Sequence, residues 1–274
     1  MISYKNFCDL NYGRIGNQIF QYSICKILSH MNNCDFYLNP NHCFLTMFDT
    51  KSLSYCELLK DLNLKNYIEK ETFQFDTHLL HTNNINLSGF FQNINYYDSF
   101  IKIIKQELRP NSKLLRNTKE YIQFKIGLKA NINDIACLHV RRCDYTNINF
   151  YRHLTISNYY KTALNQINSK YVFVISDDIN LVEEEFKALN NNDQKIIFVK
   201  ELDMFHDFYI MYLSPISIIA NSTFSFWSSL LSDKDQVFSP RYWFNTKNQM
   251  INNAFKTKQS NWNFINNQEW QSLF

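Results

Sequence analysis

The sequence predicts an α/β fold made of two doubly wound, Rossmann-like α/β domains facing a central cleft. Three observations lead there. From Gly127 onward, apolar runs of strand length alternate with amphipathic stretches of helical length, and crossovers of that length imply parallel strands. A looser version of the same alternation precedes Gly127. The 274-residue chain is 45% hydrophobic with 24 Phe and 17 Tyr, enough for two cores, while its four Gly and four Pro exclude a repeat or linker-rich protein.

Taken in order, Lys5 to Leu10 reads as a first strand, followed by the loop Asn11-Tyr12-Gly13-Arg14-Ile15-Gly16-Asn17. Ile19, Phe20, Ile24, Ile27 and Leu28 then recur at helical spacing. Asp35 to Leu38 looks like the next strand, and residues 41 to 84 show no clear period. Ile85 to Phe91 reads as a strand and Tyr96 to Leu108 as a helix closed by Arg109-Pro110. A further helix, Lys113 to Ile126, stops at Gly127. Beyond it, strands are expected at 135–141, 171–176, 196–199, 216–220 and 236–239. Helices are expected at 157–168, 180–189, 203–213 and 223–231, the third capped by Asp203. A boundary near 127–134 gives an N-terminal domain, 1–127, and a C-terminal domain, 128–274.

Several function classes are disfavoured. A net charge of +3 is too slight to imply nucleic-acid binding. The seven cysteines (8, 25, 34, 43, 56, 137 and 143) form no CxxC pair and no zinc pattern, which points to a reduced, intracellular compartment. The opening residues lack a basic start followed by an apolar stretch, and no run of eighteen apolar residues occurs, so neither a signal peptide nor a membrane anchor is expected.

The segments that carry chemistry sit where strands end, the position at which open α/β sheets bind ligands. Ile135 to Leu138 delivers His139-Val140-Arg141-Arg142-Cys143-Asp144-Tyr145. Adjacent guanidiniums, planar and always charged, suit a phosphate; the plainer alternative is an Arg142–Asp144 ion pair closing the strand. His139 and Arg141 share a strand face, where a histidine is either catalytic or a hydrogen-bonded core residue. Val172 to Ile175 runs into Ser176-Asp177-Asp178, with one Asp expected to cap the next helix and one to meet a ligand. Ile216 to Ala220 leads to Asn221-Ser222-Thr223-Phe224-Ser225, where Ser222, Thr223 or Ser225 either donates to phosphate oxygens at a helix N-terminus or simply caps it. Gly13 and Gly16 fall between a strand and a helix, suiting a sharp turn with or without a ligand. The spacing is not GxGxxG and no GxxxxGK[ST] occurs, so neither a dinucleotide site nor a P-loop is indicated. Asp233-Lys234-Asp235 precedes a strand in a surface turn and is a poor metal site.

Together these segments resemble the bacterial α-1,2-fucosyltransferases of glycosyltransferase family 11. The match is carried by Gly13-Arg14-Ile15-Gly16-Asn17-Gln18-Ile19-Phe20-Gln21-Tyr22, by His139 to Tyr145, by Ser176-Asp177-Asp178 and by Ile218 to Trp227, with Leu87 to Gln92 as a further block. Cys143 departs from the Gly often found there, and Phe226 from the usual Trp. The resemblance implies a GT-B fold, GDP-β-L-fucose as donor, no cofactor or catalytic metal, inversion, and a β-galactoside acceptor fucosylated at O2. It places Arg141 on the donor diphosphate and implies donor contacts from Arg14, Gly16 and Asn17. The expected catalytic set is Arg141, Asp144 and His139, with Asp144 either the base for the acceptor hydroxyl or the residue that orients Arg142. The expected donor-binding set adds Gln18, Arg142, Asp177, Asp178, Asn221, Ser222, Thr223 and Ser225. Other expectations stay open beside it: a different regiochemistry (α-1,6 or protein O-linked), or a GDP-sugar-binding protein without turnover. A cytoplasmic enzyme is expected. Lys102, Lys105, Arg109 and Lys113 form either a solvated face or a peripheral contact with the inner membrane surface.

Overall fold

A computed structural model describes residues 1–4, 7, 13–38, 42–49, 63–146, 148–187 and 194–267, with His42, Asp144 and Thr146 described by backbone only. The chain divides into two compact units.

Unit 1 comprises Met1–Ser112 and Asn253–Thr257. Its elements are β1 (Ile2–Tyr4), α1 (Ile15–Met31), β2 (Phe36–Tyr37), α2 (His42–Met47), β3 (Lys65–Ile68), β4 (Ile85–Ser88) and α3 (Ile101–Glu107). The sheet is parallel in the order β2-β1-β4-β3, with Ile2 beside both Phe36 and Ile85. Ile19, Phe20, Ile24, Ile27 and Leu28, the apolar face of α1, are fully buried. On the same helix the Tyr22 hydroxyl donates to Glu107 (2.8 Å) and Lys26 pairs with its other oxygen (2.9 Å), so this buried carboxylate is fully engaged. The first strand is Ile2–Tyr4, ahead of the expected Lys5 to Leu10, which apart from Phe7 lies outside the described residues.

Unit 2 comprises Lys113–Asn252 and Lys258–Phe274. It contains α4 (Ser112–Ile126, starting at the border), β5 (Ile135–Val140), α5 (Cys143–Thr146), α6 (Lys161–Leu164), β6 (Tyr171–Ser176), α7 (Ile179–Lys187) and β7 (Lys195–Phe198). After these come α8 (Met204–Leu213), β8 (Ile216–Ile218), α9 (Thr223–Leu231), β9 (Gln236–Pro240), α10 (Gln249–Asn253, ending at the border) and β10 (Trp262–Ile265). The parallel sheet runs β10-β9-β8-β5-β6-β7. Every residue of β5 is buried, as expected for a central strand covered on both faces. Ala136, Leu138 and Val140 join one core with Val172 and Val174. Ile135 and Cys137 join the other with Phe173, and Ile122 and Ile126 of α4 pack there too. That packing moves the boundary from 127/128 to 112/113, because α4 covers the second sheet.

The expected helix 157–168 is instead a π-helical turn, Ile156–Tyr160, followed by the short α6. The consecutive Tyr159 and Tyr160 both face the sheet: Tyr159 donates to the Ile219 carbonyl (2.7 Å) and Tyr160 to that of His139 (3.0 Å). Neighbours on an α-helix are about 100° apart, and the wider turn lets both reach inward. Among the described residues no helix is long and apolar enough to cross a membrane.

One buried group works against stability. Asp207 on α8 has a buried Oδ1 without a hydrogen-bond partner, and desolvation with the nearby Asp203 carboxylate pushes its pKa up to about 7. The folded chain therefore binds more protons than the unfolded one between the ordinary carboxylate range and neutrality, so the destabilisation grows as pH rises through that window. Asp207→Asn is expected to raise the thermal midpoint by more at pH 8 than at pH 5, measured by calorimetry; an equal shift at both pH values would contradict this.

Candidate functional site

In unit 2 the chain lays β5 at the centre, adds β6 and β7 on one side, and then returns to add β8, β9 and β10 on the other. The order reverses between β5 and β8. Beyond the carboxyl ends of those strands lies the crevice in which doubly wound sheets take up ligands. Arg141 and Arg142 follow β5 directly, and Asn221 to Ser225 follow β8 and begin α9.

The two arginines diverge. Arg142 turns inward: its side chain is 1% exposed, against 14% for Arg141. Its Nε and Nη2 donate to the Glu185 carboxylate on α7, the closest contact being 2.6 Å, and its Nη1 donates to the carbonyls of Arg141 and Leu154. The guanidinium is consumed by protein partners, which corrects its expected role as a donor-binding group. Arg141 is the more accessible of the two, though still largely covered. It pairs with Asp177 Oδ2 (3.1 Å) and lies over the Tyr145 ring (5.1 Å to the centroid). Tyr145 stacks in turn on Tyr151, 3.8 Å apart and nearly parallel.

Asp177 joins the two strand ends. One oxygen accepts the backbone N–H of Arg142 (2.8 Å) and the other holds Arg141. Asp178 is the cap, its carboxylate accepting Leu181 N–H (3.2 Å) at the start of α7. His139 is a packed ring rather than a presented one. It lies against Phe224 (5.9 Å between centroids), and its Nδ1 is buried without a hydrogen-bond partner. Burial, reinforced by the Arg141 charge, lowers its pKa to about 4, so the ring is neutral at pH 7. This corrects the catalytic expectation for His139. The side chain of Asp144 lies outside the described residues.

Asn221 is also corrected. Its buried amide donates to the carbonyls of Arg152 and Trp243 (both 2.9 Å), stapling two loops rather than facing a ligand. Ser225 is fully buried and donates to the Ser222 carbonyl (3.3 Å), which removes it from the ligand-facing set. Ser222 occupies the N-cap position of α9 without a side-chain cap bond, and the half-exposed Thr223 opens the helix. The first turn of α9 contains no acidic residue. Its N–H groups and positive dipole end therefore suit an anion.

Unit 1 repeats the arrangement. Its sheet reverses between β1 and β4, and the loops after those strands meet. Tyr4 at the end of β1 bonds through its hydroxyl to Gly89 just after β4. Gln92 donates to Asn17 Oδ1 (2.8 Å) on α1, and Gln18 donates to the Gly13 carbonyl (3.3 Å). Asn17 and Gln18 thus hold the loop's shape. Gly13 adopts φ +106°, and a Cβ there would fall 2.0 Å from Asn17 Nδ2, so only glycine fits. Gly16 is buried in the first turn of α1, which is free of acidic residues, and Arg14 is exposed with no ion pair among the described residues. Glu69 accepts the N–H groups of Phe90 (2.7 Å) and Phe91 (3.1 Å), holding Phe91 at φ +53°. Glu69 and Glu185 had no sequence signal, because each acts on a partner far along the chain.

Among the described residues no three His, Cys, Asp or Glu side chains cluster as a metal site. The Lys234 of Asp233-Lys234-Asp235 points inward and donates to the carbonyls ending α8, including Ser214 at 2.5 Å.

A model of glycosyl transferase family 11 matches residues 4–266. The O-antigen biosynthesis glycosyltransferase WbnK of Escherichia coli is 26% identical, over 86% of this chain and 94% of its own length. An α-1,2-colitosyltransferase of Escherichia coli is 24% identical, over 57% of this chain and 55% of its own. Among solved structures, a mutant of Arabidopsis thaliana FUT1 in complex with GDP aligns with a TM-score of 0.56 at 9% identity, over 90% of this chain and 71% of that one. POFUT1 in complex with GDP-fucose aligns with a TM-score of 0.51 at 13% identity, over 90% and 98%. These likenesses establish a two-domain α/β fold of the GT-B class.

The two arginines should separate by stability. Arg142→Met leaves Glu185 with a half-buried charge and is expected to cost roughly 3 kcal/mol or more, as when one partner of a buried pair is removed. Arg141→Met is expected to cost clearly less. Urea titration of both variants decides it, and equal losses would contradict the assignment.

Proposed function

The chain belongs to glycosyltransferase family 11, and on that footing we propose that it moves L-fucose from GDP-β-L-fucose to O2 of a terminal β-galactoside, with inversion, forming an α-1,2 linkage. The observation that carries this reading is Arg141, held by Asp177 at the reversal point of the second sheet beside the start of α9. Two relatives support it by what is known of them: one acts in O-antigen biosynthesis and the other makes an α-1,2 linkage. The transferred sugar of the second is colitose, so a colitose donor is the competing reading.

Breaking the sugar–phosphate bond builds negative charge on departing GDP. In this proposal the residues that meet it are the Arg141 guanidinium and the first-turn amides of α9 with the Ser222 and Thr223 hydroxyls. Fixed dipoles of this kind stabilise developing charge without reorganising. Asp177 sets the direction of Arg141 rather than touching the donor. No metal or other cofactor is assigned a part. In unit 1, Arg14 and the amides at the start of α1 form a second anion contact. Asp144 is proposed as the base that takes the acceptor proton. The enzyme would act in the cytoplasm, with free lactose, type 1 chains and lipid-linked polysaccharide units all open as its acceptor.

Incubation with GDP-fucose and lactose, followed by NMR of the product, is expected to show the α-1,2 linkage; a GDP-linked colitose run in parallel tests the competing donor. Another linkage, or no product from either donor, would overturn the proposal. Arg141→Ala is expected to lower kcat by roughly 10²–10³ while the protein stays folded. Near-normal turnover in that variant would remove Arg141 from the mechanism.

In Asp144→Asn, lost turnover with unchanged GDP-fucose affinity is expected for a base. Weakened donor binding in that variant would assign it an orienting role.

A further inference from the structure

Unit 1 contains a cavity of about 390 Å³, within the usual ~300–1,000 Å³ of small-molecule sites. It opens between the end of β3 and the 3₁₀ turn Thr77–His81, and its wall includes Tyr67, Glu69, Glu71, Gln74, Asp76 and Tyr96. No family motif of the sequence falls on these residues.

The polar groups are fixed in direction. Tyr67 donates to Asp76 Oδ2 (2.6 Å), which holds that carboxyl below its ordinary range and keeps it an acceptor. Tyr96 accepts the Asp76 backbone N–H (2.7 Å), so its own proton is directed elsewhere. The Phe75 ring, also in the wall, meets Tyr96 edge-on at 4.7 Å. The wall also holds Lys70 and His78, but three carboxylates, Glu69, Glu71 and Asp76, outnumber the one lysine and disfavour a phosphate. A metal ion finds no three-ligand cluster among the described residues. Oriented carboxylates, an amide, a phenol and an aromatic edge match an uncharged ligand rich in hydroxyls and C–H faces.

The cavity is tied to the loops of the same unit. Glu69 holds the amides of Phe90 and Phe91, and the following Gln92 holds Asn17. A Cβ at Gly89 would fall 2.4 Å from Glu69 Cβ, so the wall and the loop after β4 are packed as one piece.

We infer that this cavity is a subsite for an acceptor sugar unit beyond the galactose that receives fucose. The inference rests on the proposed transfer reaction, so its test separates the two. Transfer is measured to methyl β-galactoside, which has no further sugar, and to lacto-N-tetraose, which ends in galactose and has three more. The variants are Glu71→Ala with Gln74→Ala, both exposed on the rim, and separately Asp76→Asn. The tetrasaccharide KM is expected to rise fivefold or more in each, with kcat and the KM values for methyl β-galactoside and GDP-fucose unchanged. A tetrasaccharide KM that stays put, or parallel losses on both acceptors, overturns the subsite. Saturation-transfer NMR of the tetrasaccharide without donor provides a readout free of turnover. Binding that the variants abolish, in a protein that transfers to neither acceptor, keeps the subsite and removes the transfer reaction; variant-insensitive binding or none removes the subsite.

Discussion

The Asp177 carboxylate organises the second unit's site, because it resolves a conflict that the sequence builds in. Two guanidiniums side by side repel, and each has a flexible stem. Asp177 takes the Arg142 backbone N–H on one oxygen and the Arg141 side chain on the other, while Glu185 draws the Arg142 guanidinium into the protein. The pair is thereby split into a buried cation that shapes the chain and a partly buried one directed to Asp177 at the strand end. A buried ion pair is a weak source of net stability but a strong source of direction. Asp177 directly follows β6 and Arg141 directly follows β5, so the six residue pairs of the parallel ladder between those strands set the distance between them.

The same topological logic operates in each unit taken separately. In both sheets the order of strands reverses beside the first strand, and in each a helix after one of the two strands at the reversal, α1 after β1 and α9 after β8, begins without an acidic residue in its first turn. In unit 1 the loops there are held by Tyr4, Glu69 and Gln92 around Gly13, Gly89 and a strained Phe91. Backbone held at positive φ by three separate partners is the kind of local cost that persists where neighbouring groups over-determine it. The loop geometry thus depends on side chains placed far away in sequence.

How much of this the sequence reveals depends on whether the cause is local. The β5, β6 and α9 segments were legible because a fully buried strand is a continuous apolar run and its end exposes the first polar residues. The inward turn of Arg142 was legible too, but easily overlooked. Along β5, Ala136, Leu138 and Val140 share one face and sit in one core. Continued by two residues, that parity assigns Arg142 to the same side and Arg141 to the other. Adjacent in sequence, the two arginines are placed on opposite faces by the strand period. By contrast, Glu185 meets Arg142 across 43 residues and Glu69 meets Phe90 across 21, and no periodicity encodes such partners. The short β1 escaped for another reason. A three-residue strand is below the length at which alternation is measurable. Asn221 misled because an amide beside hydroxyls at a helix start resembles a ligand cluster, while its two acceptors are carbonyls in remote loops.

His139 shows why the electrostatics at the end of β5 are insensitive to pH near neutrality. Its ring is fully enclosed beside Phe224, and the nearby Arg141 opposes its protonation more than Asp177 favours it. A charged imidazole there would compete with Arg141 for Asp177 and loosen the one contact that aims the guanidinium. With a pKa of about 4 that competition is absent throughout the neutral range. On the proposed mechanism, the departing diphosphate therefore meets a guanidinium whose contact with Asp177 has no charged imidazole beside it. Proton transfer is then confined to the acceptor side, where a hydroxyl must be deprotonated, and the groups that stabilise leaving-group charge are kept separate from those that move protons.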